Sequence, residues 1–355
     1  MIGLDDTAAL AAADPSGMWA QVAGLPSQLE RAPAVQSEVA GLGVTRVAPG
    51  APVLVCGMGG SAIGGEFAAV WAATHGVRVT VHRGYGLPSW VDSKTVLVFS
   101  SYSGNTEETL SAFDASPALS PLRLCITTGG VLAAWAQAAN LPCCSLPPGL
   151  QPRAALGHSL VALLAMLHAA GVGPDPAAEL RATAVHLRAL WDQCAPGVPE
   201  SRNAAKRLAR HWHGSLACIY TGSGCTSPVG VRWRGQIAEN AKQLATHAVF
   251  PELDHNEIMA WTALPELRRR TVLTVLRDRD DDGPVARRMH ITAEILRERV
   301  GAIEFVETAG ARVLERAVGA AFLGDLASVY LAFLNGVDPT PVAEIESLKA
   351  QLSRA

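Results

Sequence analysis

The stretch SSYSGNTEET, from Ser100 to Thr109, is rich in hydroxyl groups, follows an apolar run and contains no lysine or arginine. A helix is predicted from Thr106, and the start of a helix offers backbone N–H groups with a partial positive charge. A phosphate group can therefore be held by the hydroxyls of Ser101, Ser103 and Thr106 together with these N–H groups, without a cation. The stretch predicts a phosphate site.

Asn105 with Glu108 is predicted as a capping pair that sets the helix start. The alternative is that these hydroxyls only form the turn and cap the helix. A second turn bears on this choice. The sequence GMGGSAIGG, residues 57–65, follows a predicted strand and precedes another helix. Because two such turns follow two strands of one predicted sheet, phosphate binding is favoured, with Gly60 and Ser61 as further candidate phosphate-binding residues.

The glycine-rich turn does not fit a nucleotide site. It lacks the spacing G-x-G-x-x-G, and the end of the next predicted strand, Val81-His82-Arg83-Gly84, offers no acid for a ribose hydroxyl. The sequence also contains no G-x-x-x-x-G-K-[ST] motif, which excludes a P-loop. We therefore expect no nucleotide cofactor.

Composition limits the class of protein. The chain has 355 residues, of which 49% are hydrophobic and 17% charged, with a formal net charge of −3. These values indicate a globular protein with two domains or one large α/β unit. Because the sequence lacks a dense Lys/Arg stripe, a basic signal-peptide region and an uninterrupted apolar stretch of 18 residues, we expect no nucleic-acid partner and no membrane segment.

The seven cysteines include no C-x-x-C pair, which indicates a reducing, cytoplasmic setting. His211 and His213 lie on one predicted helix face without a third ligand, so no metal site is expected.

These residues need a scaffold, and the order of predicted elements supplies one. Strands are predicted at 52–56, 77–81, 95–99 and 122–127, and again at 216–220, 271–276 and 302–306, with helices between them, one of which spans 229–245. Alternation of strand, turn and helix predicts an α/β fold with parallel sheets flanked by helices. The turns CGMGGS and TGSGCTS occupy equivalent places in the two halves, which indicates a degenerate duplication.

The predicted organisation has five parts. They are an N-terminal helical segment, a first α/β domain with the phosphate site, a helical connection, a second α/β domain and a C-terminal helix, at residues 1–40, 41–150, 151–200, 201–339 and 340–355. Within the second domain, segment 276–290, which contains the acidic stretch 278–283, is predicted to be a solvated loop.

Three further segments are PRAAL at 152–156, ENAK at 239–242 and HNEI at 255–258. Together with the two turns and the tail NGVDPTPV at 335–342, they resemble the bifunctional phosphoglucose/phosphomannose isomerases. The resemblance covers nearly the whole chain, in order. It implies two flavodoxin-like sugar isomerase (SIS) subdomains and an isomerase that interconverts glucose 6-phosphate, and also mannose 6-phosphate, with fructose 6-phosphate.

Such an isomerisation proceeds through a cis-enediolate and needs a base, a group that opens the sugar ring and positive charge near the oxyanion. It needs no metal and no redox cofactor. Glu239 matches the catalytic glutamate of the family, although its spacing alone would suggest a surface glutamate on an amphipathic helix. Arg153 matches the residue that stabilises the enediolate, although it also fits an exposed arginine at a helix start.

His255 has polar neighbours, and from the sequence it is either a loop histidine capping a helix or a ring-opening residue. Asp254 or Glu257 would then orient its imidazole. The resemblance implies ring opening by His255 with Lys349, whose sequence context alone suggests a solvated helix face. It also implies that His255 reaches the site from the neighbouring subunit, in a homodimer.

Two other functions fit a SIS fold. One is a non-catalytic phosphosugar-binding sensor, which would not need Glu239. The other is a different sugar-phosphate enzyme, such as an arabinose 5-phosphate isomerase, against which the PRAAL and HNEI segments argue. Small residues at 221–227, including Thr226, would leave room for either configuration at C2 of the sugar.

Overall fold

The structure is a computed structural model that describes residues 3–116, 122–281 and 283–352. Asp282 of the acidic stretch, residues 1–2 of the predicted N-terminal segment and residues 353–355 of the predicted C-terminal helix lie outside the described residues.

Contacts divide the chain into two compact units, named here by their sheets. The five-stranded unit contains residues 24–189 and 309–319, and the four-stranded unit contains residues 1–23, 190–308 and 320–355. The predicted domains follow one another along the chain, whereas each unit also takes segments from elsewhere. The predicted N-terminal segment is divided between them, with helices α1 (Thr7–Ala12) and α2 (Met18–Ala23) in the four-stranded unit and α3 (Leu25–Glu30) and α4 (Ala32–Ala40) in the five-stranded unit.

The five-stranded sheet is parallel throughout, and its strand order is β2-β1-β3-β4-β5. Its strands are β1 (Val53–Cys56), β2 (Val79–His82), β3 (Val96–Ser100), β4 (Arg123–Thr127) and β5 (Cys143–Ser145). This is the flavodoxin-like order, in which ligands bind at the carboxyl ends of the strands. The two apolar runs β1 and β3 are buried along their whole length, as central strands of a covered sheet must be.

Helices follow the strands of this sheet. They are α5 (Gly59–Ala73), α6 (Glu107–Asp114), α7 (Gly130–Ala138) and α8 (Leu156–Ala169), and α9 (Ala177–Cys194) leads from this unit into the other. The helix α8 is apolar nearly all round and is buried because α3, α4 and α5 pack against it.

The four-stranded sheet repeats the first one without its last strand. It is parallel and has the order β7-β6-β8-β9, with β6 (Leu216–Thr221), β7 (Ala245–Val249), β8 (Thr271–Arg277) and β9 (Ala302–Glu307). Its helices are α10 (Ala204–Trp212), α11 (Ser227–Ala241), α12 (Pro265–Arg269), α13 (Gly283–Leu296), α14 (Val313–Asn335), whose first residues belong to the other unit, and α15 (Ala343–Leu352). The shared strand order agrees with the predicted duplication.

Among the described residues, α14 is long and apolar enough to span a membrane, with a mean hydropathy of 1.8 over its most apolar window. However, 94% of that window is buried inside the protein, as in the central helix of a globular core.

Two strands were not predicted, β5 and β7. The predicted helix 229–245 ends earlier than expected, at Ala241, because Lys242 adopts a left-handed conformation with φ of 52°. Glycine usually occupies such a position, so the sequence carries no stop signal there, and the residues that follow form β7.

Buried polar bonds fix α11 against α14. The guanidinium of Arg232 donates to both carboxylate oxygens of Asp325, at 2.8 and 2.7 Å, and both side chains are almost completely buried. Gln236 donates to the same carboxylate at 2.9 Å, and Asn240 donates to Ser328 Oγ at 2.9 Å. Burial raises the pKa of Asp325, and the charge of Arg232 opposes that rise.

We predict that Asp325→Ala lowers the free energy of unfolding by about 3–5 kcal/mol, because it leaves the Arg232 guanidinium buried without its partner. Glu266→Ala is the matched control, because Glu266 pairs with Arg269 at the surface, where their side chains are 86% and 63% exposed, respectively. Loss of this exposed pair should change the free energy of unfolding by less than about 1 kcal/mol. Urea unfolding followed by circular dichroism measures both. Equal losses would contradict the assigned role of the buried pair.

Candidate active site

The glycine-rich turn after β1 packs against the protein's own backbone. A Cβ atom on Gly57 would lie 2.8 Å from the carbonyl oxygen of Ser100, and one on Gly60 would lie 2.7 Å from the carbonyl oxygen of Pro152. Side chains do not tolerate such distances, so glycine is required at both positions. The turn thereby brings the end of β3 and the segment containing Arg153 against the start of α5.

Hydroxyl groups hold the loop between β3 and α6 in shape. Ser101 Oγ lies 2.8 Å from Thr106 Oγ1 and accepts a hydrogen bond from the backbone N–H of Gly104 at 3.1 Å. Ser103 Oγ accepts one from the backbone N–H of Asn105 at 3.2 Å. Ser101 is buried and Thr106 is half-buried, whereas Ser103 is exposed. Ser103 is therefore the most accessible of the three hydroxyls to a ligand.

Ser61 joins the two turns. It lies in the first turn of α5, is 7% exposed, and its Oγ accepts a hydrogen bond from the backbone N–H of Tyr102 at 3.3 Å. Because β1 and β3 are adjacent parallel strands, both turns leave the sheet at the same edge. The structure therefore brings together the five residues predicted to bind phosphate, namely Gly60, Ser61, Ser101, Ser103 and Thr106.

The predicted capping pair of Asn105 and Glu108 is wrong. Thr106 is the N-cap residue of α6, and Asn105 Oδ1 instead accepts a hydrogen bond from the backbone N–H of Val131, in the first turn of α7, at 3.0 Å. The side-chain oxygen of Asn105 therefore caps α7 and not α6. Both helices begin with backbone N–H groups that lack helical partners, so either could have used this acceptor.

A third turn, TTGG at 127–130, lies against the hydroxyl-rich loop and was missed in the sequence. Gly104 has φ of 70°, and a Cβ atom there would collide with the carbonyl oxygen of Gly129. Thr128 Oγ1 donates to the carbonyl oxygen of Tyr102 at 2.7 Å. The signal was available, because the predicted strand 122–127 ends in a threonine and is directly followed by another threonine and two glycines. This third turn fixes the loop that carries Ser103.

Arg153 lies in the turn that Gly60 contacts. It occupies a single 3-10 turn, Pro152–Ala154, and its side chain is 4% exposed and donates to Gln151 Oε1 at 3.2 Å. The sequence also allowed an exposed arginine, but the structure buries the guanidinium. Since buried charges in proteins are paired or used, this burial favours a specific task over a solvated one.

Glu239 lies in the last turn of α11 and is half-buried. Its helix is fixed against α14 by the Arg232–Asp325 pair, which lies about two helical turns before Glu239. The next residue, Asn240, is completely buried, and its side chain donates a hydrogen bond to Ser328 on α14. A carboxylate that must meet a substrate atom gains from such a rigid support.

Lys242 of the ENAK segment binds backbone carbonyl groups. Its Nζ donates to the carbonyl oxygen of Glu239 at 2.6 Å and to that of Pro339 at 3.1 Å. A cation at the end of a helix satisfies carbonyl groups without helical partners. Lys242 therefore connects the last turn of α11 to the segment that leads into α15.

His255 is exposed in a 3-10 turn, Glu252–His255, and its acidic neighbours fix that turn to the unit. The carboxylate of Asp254 accepts hydrogen bonds from Thr292 at 2.8 Å and from Arg288 at 3.2 Å, both on α13. Glu257 accepts one from the hydroxyl of Tyr220 at 2.9 Å. Both acids thus anchor the loop of His255, and their orientation of its imidazole stays a prediction.

The Tyr220 hydroxyl is the centre of that second anchor. It accepts a hydrogen bond from Trp261 Nε1 at 2.9 Å while it donates to Glu257. Burial, together with the charge of Glu257, raises the pKa of Tyr220, so the hydroxyl remains a neutral donor.

Lys349 lies on α15, and none of the residues of that helix is buried. Glu239, His255 and Lys349 therefore lie on three separate elements of the four-stranded unit, while Arg153 and the phosphate candidates lie in the five-stranded unit.

In the turn at 221–227, Thr226 is completely buried, and a Cβ atom on Gly222 would collide with the Asp281 carboxylate. The predicted solvated loop 276–290 is wrong in its bounds, because β8 continues to Arg277 and α13 begins at Gly283, and Asp278 between them is buried.

Comparisons with known proteins agree with this architecture. A family model described as the bacterial phospho-glucose isomerase C-terminal SIS domain matches residues 201–352. A bifunctional phosphoglucose/phosphomannose isomerase from Caldicellulosiruptor bescii is 40% identical over 302 residues, which cover 85% of this chain and 89% of that protein. One from Aquifex aeolicus is 35% identical over 305 residues, which cover 85% and 90%, respectively.

Among solved structures, a hypothetical protein from Thermus thermophilus covers 98% of this chain and 92% of its own, with a TM-score of 0.75 at 18% identity. This likeness concerns the fold, and it confirms the predicted α/β class with two flavodoxin-like halves. The two sequence relatives carry the assignment further, because they exceed 30% identity along most of both chains. The chain is therefore an isomerase that belongs to the bifunctional phosphoglucose/phosphomannose isomerase family.

Proposed function

We propose that this isomerase interconverts glucose 6-phosphate, and also mannose 6-phosphate, with fructose 6-phosphate. The names of the two sequence relatives support these substrates. The structural observation that carries the proposal is the cluster of hydroxyls and helix starts at the carboxyl ends of β1 and β3. This edge suits a phosphate group, since it offers donors and two helix N-termini without a lysine or arginine in the loop.

In the proposed binding mode, the exposed hydroxyl of Ser103 donates to the phosphate. Ser61, Ser101 and Thr106 shape the loop and add donors when their hydroxyl hydrogens rotate toward the ligand. Gly60 brings the start of α5 close without a side chain in the way.

In the proposed chemistry, the Glu239 carboxylate takes the proton from C2 of the open-chain aldose, and the C1 carbonyl becomes the oxyanion of a cis-enediolate. The proton of the C2 hydroxyl passes to O1, and the protonated Glu239 then returns its own proton to C1 as the C2 carbonyl forms, which yields the ketose. Arg153 stabilises the oxyanion, and His255 with Lys349 opens the sugar ring. Hydrogen bonds and cations polarise the substrate here, so the reaction uses neither a metal nor a redox cofactor.

We further propose a homodimer in which His255 completes the site of the neighbouring subunit. His255 is exposed on a loop that is anchored on both sides, through Asp254 and Glu257, so it presents its imidazole outward from a rigid base. A cytoplasmic setting is inferred from the seven cysteines, none of which forms a disulfide within the described part of the chain.

A second function, a phosphosugar sensor without catalysis, uses the same phosphate site. It gives no role to Glu239, whose helix is held to α14 by a buried ion pair and three further buried hydrogen bonds. We favour catalysis because such support has a clear purpose for a base that must be positioned accurately.

The central test is a coupled assay of the purified protein with the three sugar phosphates, in the presence of EDTA. We expect activity with fructose 6-phosphate and glucose 6-phosphate, and a fall in kcat of about 10²–10⁴-fold for Glu239→Gln, because the amide cannot accept the proton. Glu294→Gln, an exposed glutamate on α13, is the control and should keep full activity. Normal turnover by Glu239→Gln would show that Glu239 is not the base. Loss of activity in EDTA, followed by recovery on addition of zinc, would contradict a metal-free reaction.

The phosphate site is tested by Ser103→Ala. The loss of a hydroxyl that donates to a charged phosphate should raise KM for all three sugar phosphates by about 10-fold or more, since such bonds contribute about 1.5–3 kcal/mol. Ser93→Ala, an exposed serine of the same unit, should leave KM unchanged. Isothermal titration with fructose 6-phosphate checks the affinity, and unchanged affinity in Ser103→Ala would place the phosphate elsewhere.

The shared site is tested by mixing subunits. A dimer of one Glu239→Gln subunit and one His255→Asn subunit contains one intact site if His255 acts on its neighbour. If the two variants exchange subunits at random, half of the dimers contain one subunit of each kind, and each of these has one working site of two. The unseparated mixture should then show about a quarter of the wild-type rate. Differently tagged subunits, co-expressed and separated, provide the mixed dimers. Recovery of no activity in the mixed dimer would show that His255 serves its own subunit.

A further inference from the structure

The helices of residues 25–40 carry a buried polar side chain whose partners lie more than a hundred positions later in the sequence. Gln28, on α3, is only 4% exposed, although glutamines usually lie at the surface. All of its partners belong to the segment that begins with Arg153, within the same unit.

One end of the Gln28 side chain caps α8. Its Oε1 accepts hydrogen bonds from the backbone N–H groups of Gly157 at 2.9 Å and of His158 at 3.3 Å. The residue at the N-cap position of α8 is Ala155, whose methyl group cannot accept a hydrogen bond. Gln28 therefore supplies the acceptor that the local sequence lacks.

The other end of the same side chain holds the turn of Arg153. Nε2 of Gln28 donates to the carbonyl oxygen of Ala154 at 2.7 Å. A Cβ atom on Gly157 would lie 2.7 Å from Cβ of Gln28, so only glycine allows α3 to come this close. The turn Pro152–Ala154 is thus held by Gln28, while Gly60 packs against its first residue.

We propose that Gln28 is a positioning residue, which sets the turn of Arg153 so that its guanidinium meets the enediolate oxyanion. This inference rests on the proposed role of Arg153. Its force comes from geometry, since a displacement of about 1 Å in a catalytic group costs on the order of 100-fold in rate. It also gives residues 25–40 a task in the reaction, through α3.

The test compares two glutamines of the same segment. Gln28→Met removes all three hydrogen bonds and keeps the length of the side chain. Gln36→Met on α4 is the matched control, because Gln36 also links the segment to a later turn, through a 2.7 Å bond from Nε2 to Asp175. We expect kcat with fructose 6-phosphate to fall about 10- to 100-fold in Gln28→Met, with KM within about twofold of wild type, and no change in Gln36→Met.

A second variant separates capping from positioning. At pH 8, Gln28→Glu keeps acceptors for the two N–H groups of α8 but loses the donor to the Ala154 carbonyl. Its thermal unfolding midpoint should lie closer to wild type than that of Gln28→Met, since a carboxylate suits a helix start. Its kcat should nevertheless fall as in Gln28→Met, and it replaces that variant if Gln28→Met does not fold.

Wild-type kcat in either folded Gln28 variant would overturn the proposal. So would a rise in KM at unchanged kcat, because that pattern belongs to ground-state binding. Arg153→Met separates this failure from failure of the proposed function. If Arg153→Met is slow and the Gln28 variants are not, only the positioning role is wrong, whereas full activity in Arg153→Met would remove the oxyanion role itself.

Discussion

The candidate phosphate site depends on how closely the backbone of one strand end approaches its neighbours. At the carboxyl edge of the five-stranded sheet, Gly57, Gly60 and Gly104 each lie where a Cβ atom would strike a carbonyl oxygen of another segment. These contacts place the starts of α5 and α6 side by side, and they bring the turn of Arg153 against the first of them. A substitution at any of the three would separate the segments whose hydroxyls and N–H groups form the site.

In the four-stranded unit, charged side chains hold the elements of the proposed catalytic residues in place. Arg232 and Asp325 fix the helix of Glu239, and Asp254 anchors the loop of His255. Charged residues near the proposed catalytic groups therefore hold backbone in place. This arrangement suits the proposed isomerisation, in which one carboxylate moves a proton between adjacent carbons. Its distance from both carbons then matters more than its intrinsic strength as a base.

Local patterns in the sequence determined the α/β class, most strands, the two strand-end turns and the resemblance that selects Glu239, His255, Arg153 and Lys349. Each of these rests on periodicity or on a short motif, and both can be read from neighbouring residues without the tertiary structure. Some local predictions were nevertheless wrong. Helix α11 ends at a left-handed Lys242, where the sequence has no glycine to indicate a helix end. Asn105 caps α7, although the sequence pattern assigned it to α6.

Only the tertiary structure decided the partners of these groups. Gln28 meets Ala154 and Gly157, and Arg232 meets Asp325, across roughly ninety to 130 positions of the sequence. The division of the N-terminal helices between two units was equally absent from the sequence pattern. The physical reason is that a hydrogen bond or ion pair between distant segments leaves no periodic trace, because it depends on where folding brings each backbone.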